Sequence, residues 1–215
     1  MVARPNTTIN ESQADPIREL SNMAINRSAG QLAELTGRPV QLTTPRIQLL
    51  TLQEFEHFLS INLYHTSPCI NQNFYGSFSG RSLLLYPKKN ATQLLSLLLN
   101  EEKEVENLST MEISALVEVG NILINSFMGF VCETLNLSVN FTVPQMHMLS
   151  HESARHILYS DHEDGTPPTP ERTVALMLDN EMTVEGTQTT GHTVLFIDTQ
   201  TALQLVERME EIWQG

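Results

Sequence analysis

Apolar residues recur at three- and four-residue steps along two long stretches of the chain, and after each stretch they alternate with polar neighbours. Ile17, Leu20, Met23 and Ala24 share one side of the first stretch; Leu116, Val117, Ile122, Leu123 and Phe127 share one side of the second. A period near 3.6 predicts two long amphipathic helices with these residues turned toward a core. The first follows a polar start, residues 1–11, expected to be flexible. Ser12 and Asp15 offer capping oxygens, Pro16 suits a first turn, and Gly37 ends the helix near residue 36. Ser109 and Glu112 form a capping box for the second helix, which runs to about residue 135.

Val40, Leu42, Ile47 and Leu49 alternate, so residues 39–51 predict a strand containing or bordering Pro45; residues 138–148 predict its counterpart around Pro144. Residues 52–62 are ambiguous. Residues 74–86 predict a β-hairpin with Gly76 and Gly80 near its turn, then a helix from 91 to about 100 capped by Asn90. Residues 191–197 and 199–213 again predict a strand followed by a helix. The chain therefore reads as one domain made of two copies of a unit, about 12–105 and 106–215. The copies lie 99 residues apart at Glu19 and Glu118 but 111 apart at Gly80 and Gly191, which puts a 12-residue excess in the second half. Residues 149–171, rich in His, Asp, Glu and Pro, are its expected site and predict a mobile, charged insert.

A four-point pattern recurs with the helices. Asp15, Glu19 and Asn22 are followed after 22 residues by Pro45, and Ser114, Glu118 and Asn121 are followed after the same gap by Pro144. Steps of four and three place each polar trio along one stripe of its helix, beside the apolar stripe. Asn is a middling helix former, so two of them at matching interior positions call for a reason that propensity does not give. An amide is no base near neutrality, but it accepts a hydrogen bond from a water and fixes that water in line with a phosphorus atom. The neighbouring Glu is suited to docking against a cation at a partner's active site. The two prolines have a geometric role, bending the strand beside the stripe.

Charge and cysteine content narrow the partners. A net charge of −13 disfavours nucleic acid or an anionic membrane surface and favours a cationic protein patch. Cys69 and Cys132 are too few for a disulfide framework, no N-terminal segment has the make-up of a secretory signal, and the apolar runs are too short to span a bilayer. A cytoplasmic protein without membrane insertion is expected. His147, His151, His156 and His162 with Asp161, Glu163 and Asp164 match neither a zinc helix motif nor a calcium loop, so no metal of its own is expected. A phosphate-cradling Gly-rich loop, a Gly-x-Ser-x-Gly elbow and a reactive-cysteine context are all missing, so covalent catalysis is poorly supported.

Both copies resemble the Asp/Ser-x3-Glu-x2-Asn-x22-Pro signature of the CheC-type phosphatases of bacterial chemotaxis, the CheC/CheX/FliY family. The second copy, SALVEVGNILINSF, is the nearer match; in the first, DPIRELSNMAINRSAGQL, Ser21 stands where the family usually has Gly. The resemblance runs from about residue 12 to 213. It implies an α/β (α+β) fold, a mainly antiparallel sheet backed by two long helices related by a pseudo-twofold axis. It implies further that the substrate is the aspartyl phosphate of a CheY-like receiver domain. Glu19 and Glu118 would pair with the receiver's active-site lysine, and Asn22 and Asn121 would orient the attacking water. Asp15, Ser114, Pro45 and Pro144 would support them. No cofactor of its own is implied, since Mg2+ would come with the receiver. CheC-type proteins often bind CheD, here near residues 149–171, and relatives in the flagellar switch use the scaffold for assembly without hydrolysis, which makes a non-catalytic adaptor the competing expectation.

Overall fold

The computed structural model describes residues 11–44, 46–62, 66–99, 101, 108–159 and 172–214. Their elements follow in the order α1 (Glu11–Thr36), β1 (Val40–Thr43), β2 (Ile47–Thr51), α2 (Leu52–Asn62), β3 (Ser67–Gly76), β4 (Gly80–Leu85) and α3 (Lys88–Leu99), then α4 (Thr110–Thr134), β5 (Val139–Phe141), β6 (Gln145–Leu149), α5 (His151–Tyr159), β7 (Thr173–Val184), β8 (Thr187–Asp198) and α6 (Thr199–Gln214). The second seven elements are of the same kinds, in the same order, as the first seven.

All eight strands join one sheet in the order β1-β7-β8-β4-β3-β5, with β2 also beside β7 and β6 also beside β3. Every pairing is antiparallel. Exchanging β1 with β5, β2 with β6, β3 with β7 and β4 with β8 returns the same order read backwards. The halves meet in the middle, where β4 pairs with β8 from Gly80↔Ile197 to Leu85↔His192.

Helices cover both faces of the sheet, which is why β4 and much of β7 are continuously buried rather than alternating. Leu84, Val174 and Leu176 face a core shared with α1, α3, α4 and α6. Leu83, Leu85, Ala175 and Met177 face a second core closed by α2 and α5. The expected pair of long helices is therefore part of a four-helix layer, and the opposite face has a layer of its own. Residues 52–62, of undecided period, form α2 because Leu52, Phe55 and Leu59 bury one face at helical spacing. Arg81, itself buried, ties α5 to the sheet: its Nε donates to Oδ1 of Asn73 at 2.9 Å and a terminal nitrogen donates to the carbonyl of Ile157.

Several expectations are corrected. Asn90 lies inside α3, and instead of capping it donates through Nδ2 to the carbonyl of Thr190 at 2.6 Å. Met23 is 54% exposed, because α1 buries Ser21, Ala24, Ile25, Ser28 and Leu32, a stripe rotated away from it. The first part of the expected mobile insert is helix α5, and residues 173–184, given no element by the sequence reading, form one of the two longest strands. The flexible start falls outside the described residues except for Glu11, which is already helical; the rest of the insert, 160–171, is outside them too.

Other local signals match. Gly37 ends α1 at φ +66°, a left-handed conformation open to glycine, and Arg38 N–H closes back on the carbonyl of Ala33 at 3.2 Å. At Ser109 both arms of the capping box form. Against the expectation of apolar runs too short to span a bilayer, α4 has an 18-residue window of mean hydropathy 1.6, long and apolar enough by composition to cross a membrane, but more than half of that window is buried within this fold.

Candidate functional site

Each motif sits on a long helix that is seated on the sheet by its apolar side, so its polar stripe is carried on a rigid element. Ser109 N–H donates to Oε2 of Glu112 at 2.6 Å, and Glu112 N–H returns to the Ser109 hydroxyl at 3.4 Å, fixing the start of α4 little more than two turns before Glu118. Further along, Gly120 lies so close to β3 that an added Cβ would stand 2.8 Å from Cγ2 of Ile70. The helix therefore touches the sheet between Glu118 and Asn121. Ser21 holds the matching place in α1; it is 1% exposed, and its hydroxyl has no partner among the described residues.

Glu19 and Glu118 are exposed, Asn22 and Asn121 half-buried. Glutamate and asparagine three residues apart are neighbours on a helix surface, so in each copy a solvated carboxylate borders a partly sheltered amide. The oxygen of each amide is anchored. Backbone N–H of Thr44 donates to Oδ1 of Asn22 at 2.7 Å, across 22 residues. Nδ2 of Asn125 donates to Oδ1 of Asn121 at 2.6 Å, within α4. A carbonyl oxygen has two lone pairs, so each anchored amide keeps one for a water while its NH2 still donates.

The first anchor accounts for the spacing to the proline. β1 and β2 both pair with β7, and Thr44, between them, falls outside both registers. Thr44, completely buried, stands at this break with its N–H free of a strand partner and turned to the helix. A proline at 45 favours extended backbone at the residue before it and cannot itself donate. In the second copy β5 and β6 both pair with β3, and residues 142–144 form the matching break. There Thr142 N–H goes to the carbonyl of Asn73 at 3.0 Å, and Gln72 Nε2 to the carbonyl of Thr142 at 2.9 Å. Val143, the counterpart of Thr44, is 81% exposed.

Of the remaining motif residues, Ser114 is exposed and its hydroxyl bonds back to the carbonyl of Thr110 at 2.9 Å, serving its own helix. Pro144 is half-buried beside Val143. The Asp15 side chain and Pro45 lie outside the described residues. Sequence reasoning missed Thr44 and Asn125. A fixed gap to a proline pointed toward Thr44, and Asn recurs four residues after each motif Asn, at Asn26 and Asn125.

Neither thiol offers a nucleophile. Burial pushes Cys69 up to about 12, an effect only partly offset by the nearby Arg81 charge, and burial also raises Cys132. Among the described residues no group of three or more His, Cys, Asp and Glu comes together as a metal site.

No family model matches the chain. The fold is that of the FliY and FliM proteins: FliY of Thermotoga maritima superposes with TM-score 0.71 at 20% identity over 96% of this chain and 98% of that one, and FliM in the FliG-FliM complex of H. pylori with TM-score 0.64 at 10% identity over 94% and 100%. In sequence the chain is 28% identical over 143 residues to CheY-P phosphatase CheC of Bacillus subtilis, 65% of this chain and 68% of that protein. It is 24% identical over 148 residues to putative CheY-P phosphatase CheC1 of Halobacterium salinarum, 68% of this chain and 74% of that one. The chain is thus similar in sequence to CheC-type CheY-P phosphatases and in fold to FliY.

Proposed function

We propose that this chain hydrolyses the aspartyl phosphate of a CheY-like receiver domain, docking through Glu19 and Glu118 and orienting the attacking water with Asn22 and Asn121. The observation that carries this reading is the pair of anchored amides, each on a seated helix beside an exposed carboxylate. The free lone pair of Oδ1 accepts one O–H of the water and aims its oxygen at phosphorus. As the new P–O bond forms, the bond to the receiver's aspartate breaks and that carboxylate leaves. The chain supplies placement rather than a base or nucleophile, which is where much of phosphoryl-transfer catalysis lies. The magnesium ion that shields the phosphoryl charge belongs to the receiver.

The test is multiple-turnover decay of a receiver loaded from acetyl phosphate with magnesium. The protein in catalytic amounts should accelerate it. Asn22→Ala with Asn121→Ala should lower that acceleration about 10² to 10³-fold while leaving the fold intact, as for removal of one preorganised polar group elsewhere. Full activity in the double variant would sink the mechanism.

The fold likeness to FliM favours a second reading, a non-catalytic adaptor for the phosphorylated receiver or flagellar-switch components. Such a binder would slow phosphate loss or leave it unchanged at saturating protein. CheD belongs to this reading as a further partner, to be tested by pull-down.

A further inference from the structure

The two motif amides are held by different groups, and the difference is specific to this chain's own residues. In the first copy the anchor is a backbone N–H from the strand break, Thr44, at 2.7 Å. In the second, Val143 occupies the same offset, yet among the described residues its N–H makes no bond to Asn121. The N–H comes instead from Asn125, one turn along α4, at 2.6 Å. The side-chain oxygen Oδ1 of Asn125 is buried without a protein partner among the described residues, so the bond to Asn121 is the one that orients this side chain. In the first copy the same offset holds Asn26, which is exposed.

We propose that Asn125 is a positioning residue of the second site: by taking one lone pair of the Asn121 oxygen, it fixes the rotation of that amide and aims the other lone pair at the attacking water. Asn26 has no such task, because the strand already holds Asn22. The inference rests on the phosphatase reading and adds a side-chain dependence peculiar to one of the two sites. A backbone anchor survives every side-chain substitution at its own position except proline, whereas the Asn125 anchor is lost with a single amide. The two sites therefore respond unequally to matched mutations.

The experiment isolates each site. With Asn22→Ala as parent, so that only the second site works, kcat and KM are measured for loss of phosphate from the loaded receiver. Asn125→Ala should lower kcat about tenfold with KM unchanged, since loosening a positioned group acts on the reacting geometry rather than on docking. Asn125→Leu, of similar volume, should do the same, and Asn125→Gln, which retains a terminal N–H donor, should recover part of the loss. With Asn121→Ala as parent, Asn26→Ala should leave kcat unchanged. An active parent whose kcat is untouched by Asn125→Ala and Asn125→Leu overturns the positioning role alone. A loss confined to KM, or no recovery by Asn125→Gln, overturns it as well. Wild-type protein and both parents without activity overturn the phosphatase reading, and the inference with it.

Discussion

The backbone N–H of Thr44 reaches Oδ1 of Asn22 at 2.7 Å, joining a strand break to the helix position 22 residues before it. Thr44 is completely buried, so its N–H has no access to solvent if the acceptor is removed. Asn22→Leu should therefore cost about 1–3 kcal/mol of unfolding free energy, the usual penalty for a buried donor left unpaired. Asn22→Asp keeps an acceptor there and should cost less. At the second site Asn121→Leu frees only a side-chain donor, and its cost should stay below about 1 kcal/mol. Urea unfolding of the three variants checks the order; equal losses at both sites would contradict the assigned anchors.

Gly120 and Ile70 set how closely α4 sits on the sheet. A methyl group at 120 would meet the branched Cβ region of Ile70 at 2.8 to 3.1 Å, so Gly120→Ala should destabilise by about 1–3 kcal/mol. Because the glycine lies between Glu118 and Asn121, the same change should reduce receiver dephosphorylation. Adding Ile70→Ala makes room and should recover much of the loss, a coupling that a double-mutant cycle in unfolding free energy measures. Ser21→Ala should behave oppositely, gaining up to about 1 kcal/mol by deleting a buried hydroxyl that has no partner among the described residues.

Glu19 and Glu118 are exposed, so Glu19→Gln and Glu118→Gln should alter stability by less than about 0.5 kcal/mol. Their effect should appear in affinity for a phosphorylated receiver, and more strongly at low salt than at high, as expected for charges that meet a cation on the partner. Titrations at two ionic strengths decide this, and unchanged affinity in both variants would remove the docking role.

Alkaline pH should weaken the fold through Cys69. Its folded thiol is pushed up to about 12 from an ordinary 9.0. Well below pH 9 the thiol is protonated whether folded or unfolded, and stability does not depend on it. Between about 9 and 12 the unfolded chain has released the proton that the folded chain still holds, so stability falls as pH rises. The slope approaches about 1.4 kcal/mol per pH unit for one such group. Buried Tyr86 is raised above its ordinary 10.0 and acts in the same direction. Urea midpoints from pH 8 to 11, with and without Cys69→Ala, should show a shallower decline in the variant.

What the sequence by itself determined is what depends on contacts within about one helical turn. The Ser109–Glu112 capping box, the stop at Gly37, the two long helices and the stripes carrying Glu19, Asn22, Glu118 and Asn121 follow from a period of 3.6 and from residues three or four apart. The hairpin at Gly76 and Gly80 is nearly as local. Tertiary structure decided what joins distant residues. β7 was unreadable because a strand covered on both faces loses its alternation, and Met23 turned outward because the burial of α1 is set by α4, β1 and α6 rather than by its own periodicity. The sequence displayed the motif asparagines and the gap to each proline, but their anchors depend on the strand breaks: one turns the Thr44 N–H into the helix, and the other leaves Val143 in solvent and Asn121 to Asn125.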